Sequence, residues 1–152
     1  MITVAPCPPD RVEWLVRLLT GYHLATEAEK GAPAPDATGL PERYRREVLD
    51  PLGSFADGLV LLASTVDEPV GCVVLTADGE LKRLWVDPGW RGKGVARHLT
   101  EAAVQAAGTG VRLSVWDWRT DAIGLYRRLG FREVESWDER DGMVCFRLDP
   151  PR

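Results

Sequence analysis

The stretch Leu84-Trp85-Val86-Asp87-Pro88-Gly89-Trp90-Arg91-Gly92-Lys93-Gly94-Val95-Ala96 decides the reading of this chain. A strand-like run ends at Val86, Asp87-Pro88-Gly89 turns the chain, and Arg91-Gly92-Lys93-Gly94 leads straight into a segment of helical spacing. Val95, Leu99, Ala102, Ala103 and Ala106 share one face of that segment, and Gly108 to Gly110 ends it. A helix start of this kind leaves free amides pointing one way, and the macrodipole adds partial positive charge there. Glycine at 92 and 94 removes side chains that would keep a phosphate from the backbone, while Arg91, Lys93 and Arg97 add mobile positive charge. A diphosphate suits this chemistry better than a lone carboxylate. A Walker loop is excluded because Lys93 is followed by Gly94, not Ser or Thr. A dinucleotide fingerprint is excluded because Arg97 stands where the third glycine belongs.

Upstream, Ile2 to Val4 predicts a short first strand, and Asp10 a cap for a helix carrying Val12, Leu15, Val16, Leu19 and Tyr22. Residues 31 to 41 hold Gly31, Pro33, Pro35, Gly39 and Pro41 and predict a loop. A second helix puts Tyr44, Val48, Leu49 and Leu52 on one face, with Glu42, Arg43, Arg45, Arg46 and Glu47 elsewhere, and stops near Pro51 and Gly53. Leu59 to Thr65, Val70 to Thr76 and Glu80 to Val86 predict three strands, joined by turns at Asp67-Glu68-Pro69 and Asp78-Gly79. Downstream, Val111 to Val115 predicts a buried strand, and Ala122, Leu125, Tyr126 and Leu129 mark a short helix closed by Gly130. Phe131 to Ser136 and Met143 to Leu148 predict a final antiparallel pair. The order β-α-α-β-β-β-α-β-α-β-β predicts an α/β chain, a mixed α+β sheet with helices on its faces.

The bulk properties narrow the function classes. The 152 residues suit one compact domain, and 45% hydrophobic with 28% charged residues argues against disorder. A net charge of -4 gives a nucleic-acid partner no support and weakly favours cationic substrates, subject to local charge. Cys7, Cys72 and Cys145 are far apart, with no CxxC or Cys/His cluster, so neither a disulfide framework nor a metal site is expected. Cys72 and Cys145 lie in apolar runs and read as small buried filler. No run approaches the ~18 apolar residues of a membrane span, and the N-terminus lacks the basic and apolar regions of a signal peptide, so a cytoplasmic protein without membrane partners is expected.

A second pattern supplies what the Arg91–Ala96 turn lacks alone. Arg91, Gly94 and Ala96 match [Gln/Arg]-x-x-Gly-x-[Gly/Ala], and Ala122, Tyr126, Gly130 and Phe131 match Ala-x-x-x-Tyr-x-x-x-Gly-Phe. In this order and separation, over residues 80 to 131, the chain resembles the GNAT superfamily of acyl-CoA-dependent N-acetyltransferases, and its predicted element order resembles that fold throughout. The resemblance implies one N-acetyltransferase domain over 1–152, an acyltransferase using acetyl-CoA (CoA) and a small-molecule or peptide amine as acceptor, with homodimers common among its members. It implies that the strands ending at Val86 and covering 111–115 splay apart to admit the pantetheine arm. Leu84 and Val86 on either side of Trp85 would pair with that arm through their backbone. The amides of Gly92, Lys93, Gly94, Val95 and Ala96 would bind the pyrophosphate beside Arg91. Tyr126 would protonate the departing thiolate, and the Leu84 amide would stabilise the oxyanion.

Several residues keep two readings. Glu80 stands eleven residues before Arg91, where some members carry a glutamate base; it also reads as a strand-start residue paired with Lys82 or Arg83. Tyr126 also lies on an apolar helical stripe, as a core tyrosine would. Arg119 replaces the asparagine many members hold seven residues before the tyrosine, and either reaches a phosphate or is solvated. Trp116 and Trp118 either wall a substrate pocket or cover the sheet edge. His23 and His98 read as structural, and Tyr22, His23, Glu27, Glu29 and Tyr44 as polar groups able to line an acceptor site, with Glu27 and Glu29 more simply a solvated face. A non-catalytic acyl-CoA-binding sensor or interaction module on the same fold is the competing reading.

Overall fold

Alternation along the strands explains how helices come to cover both faces of the sheet. In the computed structural model, which describes residues 1–150, β2 (Leu59–Ser64) and β3 (Pro69–Leu75) pair antiparallel. Successive side chains point to opposite faces. Leu61, Ala63, Val73 and Leu75 therefore join one core, and Val60, Leu62, Cys72 and Val74 join the other. The second core is closed by α1 (Val12–Glu29) through Leu15, Leu18 and Leu19 and by α2 (Glu42–Leu49) through Tyr44 and Val48. The first is closed by α4 (Val95–Ala107) and α5 (Thr120–Arg128) through Leu99, Ala103 and Tyr126. A one-turn helix, α3 (Pro51–Ser54), follows α2 and adds an element to the expected order; the Asp50 side chain caps it by accepting from the Gly53 amide at 3.1 Å.

The strands form two sheets. β1 (Thr3–Pro6), β2, β3 and β4 (Leu81–Val86) make an antiparallel meander, and β5 (Val111–Trp116), β7 (Met143–Leu148) and β6 (Arg132–Val134) make the other, with β7 in the middle. Among the described residues the parallel component of the expected mixed sheet is one bridge, Glu80 to Arg112, beside an Arg112 amide bond to the Gly79 carbonyl at 2.9 Å. The two sheets are thus pinned at one end of β4 and β5 and separate at the other, as the resemblance implied.

Separation begins at a bulge. Cys72 faces Trp85 and Val74 faces Lys82, so Val73 alone opposes Arg83 and Leu84. Arg83 takes φ +60, a left-handed conformation that costs a side-chain-bearing residue on the order of 1–3 kcal/mol. Such a bulge bends the strand and steepens its twist. Nearby, α4 is drawn close to β3 at Gly71, where an added Cβ would meet the Trp85 carbonyl at 2.9 Å and Leu99 at 3.0 Å. That close approach sets the start of α4 beside the end of β4.

Three local expectations are corrected. Asp10 does not cap α1: it lies in a 3-10 turn over Pro9–Arg11, and the helix begins at Val12 without a side-chain cap. Leu49 is 83% exposed, because α2 ends there and Pro51 redirects the chain. Glu47, expected off the apolar face of α2, is buried together with Tyr44 and Val48. Cys72 and Cys145 are fully buried filler.

Candidate active site

The gap between β4 and β5 opens onto two connected spaces. The larger, about 810 Å³, is a groove lined by Leu84, Trp85, Val86, Arg91, Gly92 and Gly94, then by Val95, Ala96 and Arg119. Of the residues expected around the carrier, Lys93 alone is outside this lining; it is exposed at the loop. Asp87 donates its amide to Val70 at 2.8 Å and Trp85 faces Cys72, so these two belong to the β3 ladder. By alternation the backbone groups of Leu84 and Val86 face the gap. The Val86 carbonyl already accepts from Arg91 Nε at 3.1 Å, and the Arg91 guanidinium lies 4.7 Å over the Trp85 ring. The Trp85 indole itself packs on Gly21 of α1.

At the floor of the groove the turn opens into α4. Gly92 and Gly94 adopt φ +77 and +81, and a Cβ on either would meet nothing within 4 Å. The left-handed Gly94 starts the helix without a capping side chain, and the first helical amide bond is His98 to the Gly94 carbonyl at 3.0 Å. The Val95, Ala96 and Arg97 amides are therefore free and point into an open cradle, which fits a diphosphate. His98 is exposed and takes no part.

The smaller space, about 320 Å³, lies on the other side of the gap, under α1 and α2. Its wall includes Tyr22, His23, Tyr44, Glu47, Glu80, Ser114, Trp116 and Tyr126, and it shares Leu84, Arg119 and Ala122 with the groove. Tyr126 is 6% exposed, with its ring against Phe131 and Phe146 at centroid distances of 5.5 and 6.4 Å. Among the described residues no sealed side-chain polar atom lacks a partner, and Tyr126 Oη makes no hydrogen bond, so the hydroxyl opens onto the cavity. The ring belongs to the core, and the hydroxyl is part of the cavity surface. Burial pushes the phenol up, and the neighbouring Tyr22 adds to this against an opposing Arg119. Glu80 stands at the closed end, at the Arg112 bridge, with Lys82 Nζ no nearer than 3.9 Å.

Sequence reasoning missed the group that holds this cavity together. Glu47 Oε1 accepts from His23 Nε2 at 2.7 Å and from Arg83 Nε at 2.7 Å, and Oε2 accepts from Arg83 Nη2 at 3.0 Å. A carboxylate only accepts, so the Nε2 of His23 carries the proton. Burial alone would raise the Glu47 carboxyl, but hydrogen bonds and charge from His23 and Arg83 bring it down to about 2. His23 also stacks on Tyr44 with centroids 4.4 Å apart. The left-handed Arg83 is thus locked by a bidentate pair, which offsets the backbone cost of the bulge. The available signal was the spacing of Glu47, three residues after Tyr44 and so beside the apolar stripe of α2.

Arg119 is neither solvated nor free. Its Nη2 donates to Thr26 Oγ1 at 2.6 Å and to Glu29 Oε2 at 2.8 Å, and its Nε reaches the same carboxylate oxygen at 3.2 Å. Trp118 Nε1 also donates to Glu29, at 3.2 Å. Together they tie the loop after β5 to the end of α1 where the two spaces meet. Glu27 is buried and pairs with Lys30 at 2.8 Å, whereas Glu29, though paired with Arg119, stays exposed on the solvated face that was expected for both. Trp116 stacks on Trp118 at 4.6 Å and walls the cavity.

With this geometry in view, the comparisons with known proteins are decisive for the family. Residues 56–133 match the model of the acetyltransferase (GNAT) domain, half of the chain. The chain belongs to the GNAT acetyltransferase family. It is 33% identical over 95 residues to the peptidyl-lysine N-acetyltransferase YjaB of Salmonella typhimurium, covering 61% of this chain and 64% of that protein. The chain thus spans just under two thirds of that relative's length. Its fold is similar to an acetyltransferase of the GNAT family from Staphylococcus aureus, with TM-score 0.74, 17% identity and coverage of 98% and 99% of the two chains. It is also similar to the PaiA N-acetyltransferase of Thermoplasma acidophilum, solved in complex with coenzyme A, with TM-score 0.72, 16% identity and the same coverage. Among the described residues no helix of this GNAT chain is long and apolar enough to cross a membrane.

Proposed function

We propose that this chain acts as a single N-acetyltransferase domain that moves an acetyl group from acetyl-CoA to a primary amine. Attack is direct, in a ternary complex, without a covalent acyl-enzyme. One observation carries the reading: the groove that ends on the free amides of α4 and the cavity under α1 share the wall of Leu84, Arg119 and Ala122. Two substrates held from opposite sides would meet there, and such positioning supplies much of the acceleration of an amine attack.

The carrier supplies an activated acetyl thioester; the rest falls to the chain's own groups. The amides of Gly92 through Ala96 hold the diphosphate, and Arg91 screens its charge. The gap-facing backbone of Leu84 and Val86 orients the pantetheine arm as an added strand. The Leu84 amide polarises the acyl carbonyl. Tyr126 keeps its proton because burial disfavours the phenolate, and Oη delivers it to the departing sulfur. Glu80 takes the proton of the incoming ammonium, directly or through water; its loose contact with Lys82 leaves the carboxylate available. A primary alkyl amine as acceptor is supported by the lysine named for the Salmonella relative. Three unpaired cysteines, two of them buried, suit the cytoplasmic location that belongs to this reading.

An assay of CoA release across a panel of primary amines, with calorimetry of CoA binding, tests the proposal. Turnover with at least one amine and measurable CoA affinity are expected. Absent CoA binding removes the groove assignment, and binding without any turnover leaves a non-catalytic carrier-binding module. For Glu80→Gln, loss of the acid limb of the kcat/KM pH profile is expected; an unchanged profile removes Glu80 as the base.

A further inference from the structure

The chain carries a net charge of -4, yet the cavity under α1 is basic. Its wall holds Lys30, Arg43, Lys82, Arg83, Arg119 and Arg140 against the carboxylates of Glu47 and Glu80. Most of these cations are neutralised by a partner. Arg83 is paired with Glu47, Arg119 with Glu29, Lys30 with Glu27 and Arg140 with Asp138 at 2.7 Å. Arg43 is different. Among the described residues no carboxylate lies within 4.0 Å of it, and its one side-chain bond is from Nη2 to Tyr44 Oη at 2.6 Å. The guanidinium lies 4.6 Å over the Tyr44 ring, which leaves most of its five donors unused.

Position adds to charge. Lys30 Nζ lies 5.7 Å from the Tyr44 ring and 5.5 Å from the Trp116 ring, and the Arg140 guanidinium 5.2 Å from the Trp116 ring. Three cations therefore gather around two rings. Arg43 is exposed and the Arg140 side chain is 47% exposed, so this cluster is the mouth. Tyr126 is at the buried end. A cationic group at the mouth would meet like charge within a few ångströms, and a planar carboxylate would meet an unpaired guanidinium fork.

We infer that the acceptor is a small amine bearing a carboxylate at its other end, with the carboxylate seated on Arg43 between Lys30 and Arg140 and the amine directed inward to Tyr126. This rests on the acetyl-transfer reading of the same site. A volume of about 320 Å³ is at the small end of ligand pockets and suits a single short chain. The aromatic pair of Tyr44 and Trp116 flanks its methylenes.

Three probes of equal length separate the charge states: 6-aminohexanoate, 6-aminohexanamide and 1,6-diaminohexane. Each is titrated by calorimetry into the full chain loaded with CoA, and each is assayed with acetyl-CoA. Aminohexanoate is expected to bind, and to react in kcat/KM, about 10- to 100-fold better than the amide, the worth of a charge-assisted hydrogen bond, with the diamine weakest. Arg43→Gln collapses the acid-to-amide ratio toward one and Arg43→Lys keeps part of it, with CoA affinity as the control for folding. No binding of aminohexanoate, equal affinity for acid and amide, preference for the diamine, or a ratio that survives Arg43→Gln overturns the inference. Selective binding of aminohexanoate without turnover of any probe defeats the acetyl-transfer reading and leaves the carboxylate seat standing. Turnover without a carboxylate preference does the reverse.

Discussion

The groove beside α4 and the cavity under α1 share a wall but are built by different means. The groove is made of backbone: the free edge of β4, the left-handed turn at Gly92 and Gly94, and the unpaired amides of α4. The cavity is made of side chains joined across the sequence, His23 to Glu47 over 24 residues, Arg83 to Glu47 over 36 and Arg119 to Glu29 over 90. A backbone site recognises shape and charge whatever the neighbouring side chains are, whereas a side-chain site changes its ligand when one partner changes. Substitutions on the cavity side should therefore act first on chemistry or stability, and those on the groove side first on carrier affinity.

Tyr126 offers the sharpest test, because its ring belongs to the core and its hydroxyl to the cavity. Tyr126→Phe keeps the ring packing against Phe131 and Phe146. The expected loss is about 10²- to 10⁴-fold in kcat, the range of a positioned acid, with CoA affinity and Tm nearly unchanged. A parallel fall in CoA affinity would instead put the hydroxyl among the carrier's contacts.

Glu47→Gln tests whether the cavity is held by charge. The amide leaves Arg83 buried without its carboxylate, which should cost about 3 kcal/mol and lower Tm by roughly 6–12 °C at this chain length. Acid should act the same way on the native chain. The folded carboxyl sits near 2 against an ordinary 4.5, so its contribution is complete above pH 4.5 and is lost as pH falls toward 2. Urea midpoints across that window should decline steeply for the native chain and less for the variant. Equal slopes would mean that the pair contributes nothing to the acid limb.

This contrast also explains how far the sequence could be read. Glycine spacing, the turn after Val86 and the stripe Ala122-Leu125-Tyr126-Leu129 are local signals, and they located the groove, α4, α5 and the end of β4 to within a residue or two. The bulge at Arg83 left no such mark, because a residue held at φ +60 by a distant Glu47 looks like any strand arginine. Arg119 was legible as a departure from the family pattern but not as a tie to Glu29 and Thr26 on α1. Buried charge is decided by tertiary partners, and one chain gives no local periodicity for them.

On the groove side, Gly94→Val should affect carrier binding more than folding. The left-handed φ of +81 costs a side-chain-bearing residue about 1–2 kcal/mol, a Tm loss of roughly 2–8 °C. The new side chain would project into the open cradle proposed to hold the diphosphate. CoA affinity by calorimetry should fall at least about 100-fold, near 2.7 kcal/mol, while a carboxylate probe at Arg43 is unaffected. Unaltered CoA affinity would break the comparison, since the groove would then not depend on its backbone.

The smallest effect belongs to Arg119, one of the three residues both spaces share. Arg119→Lys keeps the charge but loses the fork that reaches Thr26 and Glu29 together. Glu29 is held below the usual carboxylate range against its own burial by hydrogen bonds from Arg119 and Trp118, and a lysine would release part of that hold. The tie is near the surface, so the expected stability loss is about 1 kcal/mol or less, roughly 2–4 °C in Tm. Because the tie sets the distance between the loop after β5 and α1, KM should rise about three- to tenfold for carrier and amine alike, with kcat within about twofold. The salt dependence of CoA binding discriminates the two roles. A strap leaves its slope unchanged, whereas a direct phosphate contact would lower CoA affinity alone and flatten the slope. Either result fixes on which side of the shared wall this arginine acts.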